Sequence, residues 1–175
     1  MSSYGVAFVV EVPQGSSWVT GLVGYEDEPR SDGWACAQGC VDLDDEAVEQ
    51  VREQLAITGG RAAVAEDRDD YGACFEVLEG RGGTLATVYR AFVLNADPED
   101  ADEVEAALGE YESDPRAEDV TGKQAAQAAA GLFGVDPTAM VEADATYRDT
   151  AWEELGVVGG PFPWWPALGL DWPTT

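Results

Sequence analysis

Two alternating runs, residues 71–79 and 84–95, meet at Gly80-Arg81-Gly82-Gly83. Glycine reaches positive φ without steric cost, which a two-residue hairpin turn requires at its centre. The flanking runs are therefore expected to pair as antiparallel strands. In the second, Thr84, Ala86, Val88, Arg90 and Phe92 share one face, and Leu85, Thr87, Tyr89, Ala91 and Val93 share the other. Residues 61–66 supply a further short run, so a three-strand meander is predicted over 61–95.

Upstream, Tyr4, Val6, Phe8, Val10 and Val12 alternate with Gly5, Ala7, Val9 and Glu11. Both sets are mostly apolar, as in a central strand covered on both sides. Pro13-Gln14-Gly15 is a turn, residues 17–25 are the next strand candidate, and 26–33 is loop chemistry. Residues 42–57 read as a helix. Asp44, Asp45 and Glu46 load its first turn, where the macrodipole favours anions. Val48, Val51 and Leu55 form its apolar stripe, and Gly59-Gly60 stops it.

After Asn95 the period becomes helical. Asp97-Pro98 has the form of an N-cap followed by proline, with Ala101, Val104 and Leu108 predicted to face inward and Gly109 near the end. Thr121-Gly122-Lys123-Gln124 has capping-box form before an alanine-rich helix that ends at Gly134. Asp136-Pro137 starts another helix, carrying Met140 and Val141. Thr150-Ala151-Trp152-Glu153 repeats the capping box before a short turn at Gly156. Residues 159–173 hold four prolines and Trp164, Trp165 and Trp172, which excludes a regular helix or central strand. The expected fold is α+β: a mostly antiparallel sheet of about five strands, with three to four helices packed on one face. Residues 1–175 form a single domain, and 159–175 are an irregular aromatic tail closing the core.

Charge limits what this fold can do. The chain of 175 residues has 35 Asp and Glu against 9 Lys and Arg, a formal net charge of −26, with one lysine and no histidine. Gripping nucleic acid needs Lys/Arg to displace counterions, so no direct nucleic-acid binding is expected. Anionic membrane surfaces repel it, and no run approaches the roughly 18 apolar residues of a span. Met1-Ser2-Ser3-Tyr4 lacks the basic region of a secretory signal, so a cytoplasmic location is expected. Without histidine there is no imidazole acid–base chemistry, catalytic triad or mixed Cys/His zinc site.

Cys36, Cys40 and Cys74 are odd in number, and the first two have C-x3-C spacing. Reduced, buried thiols are the expectation. Asp42-Leu43-Asp44-Asp45 begins like an EF-hand loop but has Ala47 where glycine is required. Asp67-Arg68-Asp69-Asp70 reads as a polar turn. No phosphate-binding glycine motif is present, Cys74 has no histidine to activate it, and nothing selects a catalytic pair among 35 acids. No enzyme activity, cofactor or metal is predicted.

The charge is uneven along the chain. Residues 61–95 hold 6 acids and 4 bases, net −2, whereas residues 96–122 hold 11 acids and 1 base, net −10. Glu99 and Glu103 are an i,i+4 like-charge pair, which costs on the order of 0.2–0.5 kcal/mol. Glu99, Asp102, Glu103, Glu110, Glu112 and Asp114 are the candidate partner-binding residues, with a second acidic group over 42–53.

In charge and size the chain resembles small acidic inhibitors: immunity proteins of nuclease toxins, and proteins that mimic DNA. The resemblance covers no aligned motif. It implies a non-enzymatic protein that binds and neutralises a basic partner, such as a toxin, nuclease or DNA-binding protein. A near-neutral meander beside an acidic helix is a mixed surface, which favours the immunity reading over mimicry. The alternatives are an enzyme using carboxylates alone, and an acidic structural or assembly protein whose charge serves solubility or salt adaptation.

Overall fold

A computed structural model describes residues 5–16, 28–29, 34–42, 45–67, 72–94, 99–113, 119–147 and 163–171. Five full strands form one antiparallel sheet: β1 (Gly5–Pro13), β3 (Trp34–Asp42), β4 (Gly60–Asp67), β5 (Gly72–Arg81) and β6 (Thr84–Leu94). A two-residue strand, β2 (Glu28–Pro29), pairs on the outer side of β3. The strand order is β2-β3-β1-β4-β5-β6. The helices are α1 (Asp45–Thr58), α2 (Ala101–Ser113), α3 (Lys123–Phe133), α4 (Pro137–Tyr147) and α5, a single turn at Trp164–Ala167. The fold is α+β, as expected.

The predicted hairpin is present. Arg81 pairs with Thr84, and Gly82 and Gly83 adopt φ of 56° and 92° at the turn. The turn also docks on α1, because Gly83 N–H donates to the Ala56 carbonyl at 3.0 Å. That satisfies one carbonyl that the end of a helix leaves open. Close approach here demands glycine twice. A Cβ on Gly80 would lie 1.9 Å from the Leu55 carbonyl oxygen, and one on Gly60 2.3 Å from that of Glu11.

β4, β5 and β6 are neighbours, so the meander is real, and β1 is central, flanked by β3 and β4. β3 was not anticipated. Its sequence, WACAQGCVD, is mostly small residues of low strand propensity and occupies the stretch between predicted loop and predicted helix. It extends through Asp42, so α1 begins at Asp45 rather than at 42. Both β3 and β4 run antiparallel to β1, and α1 makes the long crossover that two like-directed strands need.

Helices cover both faces of the sheet, not one. The period-2 alternation assigns each residue to a face. Val6, Phe8, Val10, Val12, Ala62, Val64 and Leu78 meet Val51 and Leu55 of α1. Ala7, Val9, Ala63, Ala65, Phe75, Val77, Tyr89 and Ala91 meet α3, α4 and α5. The small side chains of Ala126, Ala129 and Ala130 let α3 lie close to the sheet. Its end is as predicted, with Gly134 left-handed at φ 73°. Its start is not a capping box: Gly122 is the N-cap and makes no side-chain cap bond. The Gly122 N–H instead donates to Asp144 Oδ1 at 2.9 Å. Asp136 caps α4 as expected, accepting from Thr138 N–H at 2.9 Å, and its bonds to Thr138 lower its pKa.

The aromatic segment holds one helical turn despite its prolines, since Pro166 follows two residues that can open a turn. Trp164, Trp165, Ala167 and Leu168 are buried against the sheet face. The predicted strand at 17–25, the turn at 150–156, Asp97-Pro98, Asp69, Asp70 and Trp172 lie outside the described residues.

Candidate functional site

The placement of the bases comes first, because it decides what the acids do. Five of the nine basic residues are described, and four are ion-paired within the fold. Arg90 Nε lies 2.9 Å from Glu76 Oε1 across the β5–β6 ladder, with both side chains at 2% exposure or less. From α1, Arg52 Nη1 donates to Glu76 Oε2 at 3.2 Å. Arg61 pairs with the buried Glu11 through Nε and donates to the Leu132 carbonyl through Nη1. Its guanidinium packs between the rings of Trp34 and Phe133, at 4.7 and 4.9 Å. Arg61 thus places positive charge at the C-terminal end of α3, whose last turn has no base of its own. Arg81, exposed at the hairpin, pairs with Glu79 at 2.6 Å, which raises its pKa further.

Within the 61–95 segment, Glu66, Glu76 and Arg90 are each 1% exposed, and Arg81 pairs with Glu79 at the surface. Among the described residues, twelve exposed carboxylates face two exposed bases, Arg81 and Lys123.

α2 carries the densest part of that surface. It begins at Ala101, and its cap is Asp100, whose Oδ1 accepts from the N–H groups of Asp102 (3.0 Å) and Glu103 (3.2 Å). The inward face is also different from the prediction. Ala107 is buried and Val104 half-buried, while Ala101 is exposed and Leu108 is 38% exposed. Gly109 lies within the helix, which continues to Ser113. Only a narrow stripe, Val104 and Ala107, is withdrawn from solvent, and α2 packs at the edge strand β6.

Glu99, Asp102, Glu103 and Glu112 are exposed. At about 100° per residue, positions 103 and 110 share one flank and 102 points outward, while Glu99 precedes the helix, so the expected helical i,i+4 pair with Glu103 is not formed. Glu112 lies on the other flank with Glu105, beside the exposed Leu108. The six predicted residues are therefore not one flat patch. Three gather at the start of α2, Glu112 stands apart, Glu110 lies in the last turn, and Asp114 is outside the described residues. Glu105 belongs to the acidic surface and was not singled out; the revised inward face, centred on Val104 and Ala107, is what reveals it.

The macrodipole treats the two ends differently. Asp102 and Glu103 sit in the first turn, where anions are stabilised by about 0.3–1 kcal/mol. The last turn contains Glu110 and Glu112 and no base, which is the unfavourable arrangement. Glu99, Asp100, Ala101 and Asp102 line a shallow surface concavity of about 400 Å³. Because Asp100 already accepts from the helix N–H groups, this concavity suits cations rather than anions.

Other chemistry is sparse. Cys74 is buried and Cys36 half-buried, both as free thiols. Among the described residues, no group of three or more Cys, Asp or Glu is arranged to hold a metal. No helix among them is long and apolar enough to cross a membrane. Comparison with protein-family models, curated proteins and solved structures finds no match.

Proposed function

We propose that this protein is a non-enzymatic, cytoplasmic acidic binder that captures and neutralises a basic protein, such as a toxin, nuclease or DNA-binding protein. One observation carries the reading: the fold draws its described arginines into ion pairs, while the exposed charges of α2 among the described residues are all acidic, Asp102, Glu103, Glu105 and Glu112. A surface of one sign steers an oppositely charged partner and rejects like-charged ones. Glu99, Asp102 and Glu103 provide the first contacts, with Glu110, Glu112 and Asp114 extending them. The surface Arg81–Glu79 pair of the meander beside the acidic α2 supports an immunity protein over a DNA mimic, and both remain within the proposal.

Solubility or salt adaptation is the second reading, favoured by Asp100, Asp102 and Glu103, whose positions already stabilise their own helix. Capture from the native host at low and then moderate salt separates the two. Binding proposes a basic protein released as salt rises, and recovery of no basic protein would leave the solubility reading.

A further inference from the structure

The segment Pro163–Leu170 sits on the sheet as a ligand sits in a pocket. Main-chain hydrogen bonds close the segment on itself: Leu168 N–H to the Trp164 carbonyl, Gly169 N–H to that of Pro166, and Leu170 N–H to that of Trp165, each at 3.0 Å. Gly169, at φ 68°, closes the turn. What reaches the rest of the fold is a row of side chains. Trp164 stacks on Phe75 at 5.2 Å and 13°, Trp165 meets the same ring edge-on at 5.5 Å, and Tyr89 tilts against Trp164 at 6.4 Å. The one polar atom of the Trp164 ring is recognised: its Nε1–H donates to Tyr89 Oη at 3.0 Å. Tyr89 then donates to Asp144 Oδ1 at 3.1 Å, and Gly122 N–H donates to that same oxygen. Asp144 is thus fixed by α3 before it orients Tyr89, so the acceptor facing the indole is built by the body of the protein.

We infer that the slot formed where Phe75 and Tyr89 meet edge-on, ring centroids 6.4 Å apart, is a docking site for a tryptophan-bearing peptide turn, filled in this chain by its own residues Pro163–Leu170. Its ligand class is a short helical turn presenting two adjacent indoles, the first with its N–H directed at Tyr89. An aromatic anchor in a desolvated pocket is the pattern of a binding hot spot, and an internally bonded turn docks with little backbone ordering left to accomplish. The slot is distinct from the acidic surface of α2.

The test is a full-length chain with a protease site inserted between 151 and 158, folded first and then cut. The fragment 159–175 is expected to co-elute with the body and to exchange with an excess of labelled synthetic peptide of the same residues. The peptide with Trp164→Ala should bind about a hundredfold more weakly, and a Tyr89→Phe body should bind the unaltered peptide about tenfold more weakly. Unfolding of the body on cutting would overturn the inference. So would a folded body that takes up no peptide, a fragment that excess peptide never displaces, or equal binding of the Trp164→Ala peptide. If the inserted chain does not fold, hydrogen exchange in the unaltered protein decides. The Trp164 indole N–H should exchange faster than the β4 and β5 amides, and equal rates would contradict a separable segment.

Discussion

Arg90 stands directly across the β5–β6 ladder from Glu76, and the two withdraw each other from solvent. Arg52 reaches the same carboxylate from α1, so one acid ties sheet and helix together. A base used in this way cannot soften the surface. Truncating one member of a buried pair leaves the other charged and poorly compensated, typically at about 3–5 kcal/mol. Arg90→Ala should therefore lower stability by about that amount in a urea titration. A change within about 0.5 kcal/mol would show that the pair does not organise the core.

Gly80 marks where α1 presses on β5. With 1.9 Å between its hypothetical Cβ and the Leu55 backbone oxygen, Gly80→Ala must displace the helix or the strand. Overpacking of this kind costs about 1–3 kcal/mol or more. Gly82→Ala meets no atom within 4 Å and carries only the strain of φ 56°, about 1–2 kcal/mol. The melting temperature should fall further for Gly80→Ala than for Gly82→Ala, and the reverse order would contradict the close packing.

Tyr89→Phe removes the hydroxyl that accepts from the Trp164 indole N–H and donates to Asp144. An orphaned buried group costs about 1–3 kcal/mol. Thermal unfolding of the Tyr89→Phe chain should show a loss in that range, with the secondary structure retained by circular dichroism.

The Asp136 cap gives a pH dependence of known sign. Bonds to Thr138 lower the native pKa below the ordinary value of about 3.9. A carboxylate lowered in the native state contributes stability above its unfolded pKa and loses it as pH falls through the native one. Asp136→Ala should therefore destabilise at pH 6, and its difference from the parent should shrink as pH falls through the lowered native pKa. A difference that stays the same across an acid titration would place the effect elsewhere.

The fold was legible wherever period and punctuation agreed. Gly82 and Gly83 announced the hairpin, β1 read as doubly covered from two apolar sets, and Gly134 and Asp136 marked their helix ends. β3 was missed because Ala35, Ala37 and Gly39 carry no strand signal. Both-sided helical cover could not be read from element order, because α1 reaches its face by passing over β1, a long-range fact. The acidic helix was legible as a composition, but not its cap or inward face. Asp97 and Asp100 offer the same chemistry three residues apart, and Leu108 reads as core until Ala107 is seen to take that place. The ion pairs Glu11–Arg61 and Glu76–Arg90 were beyond reach, since register alone brings them together.

The central claim is that the acidity of α2 serves a partner and not the fold. Its most direct measurement is the affinity of the triple variant Glu99→Lys, Asp102→Lys, Glu103→Lys for the basic protein captured at low salt, with melting temperature as the control. The account predicts a loss of affinity of about tenfold or more, one decade being about 1.4 kcal/mol, in a chain that still folds. Unchanged affinity would contradict it.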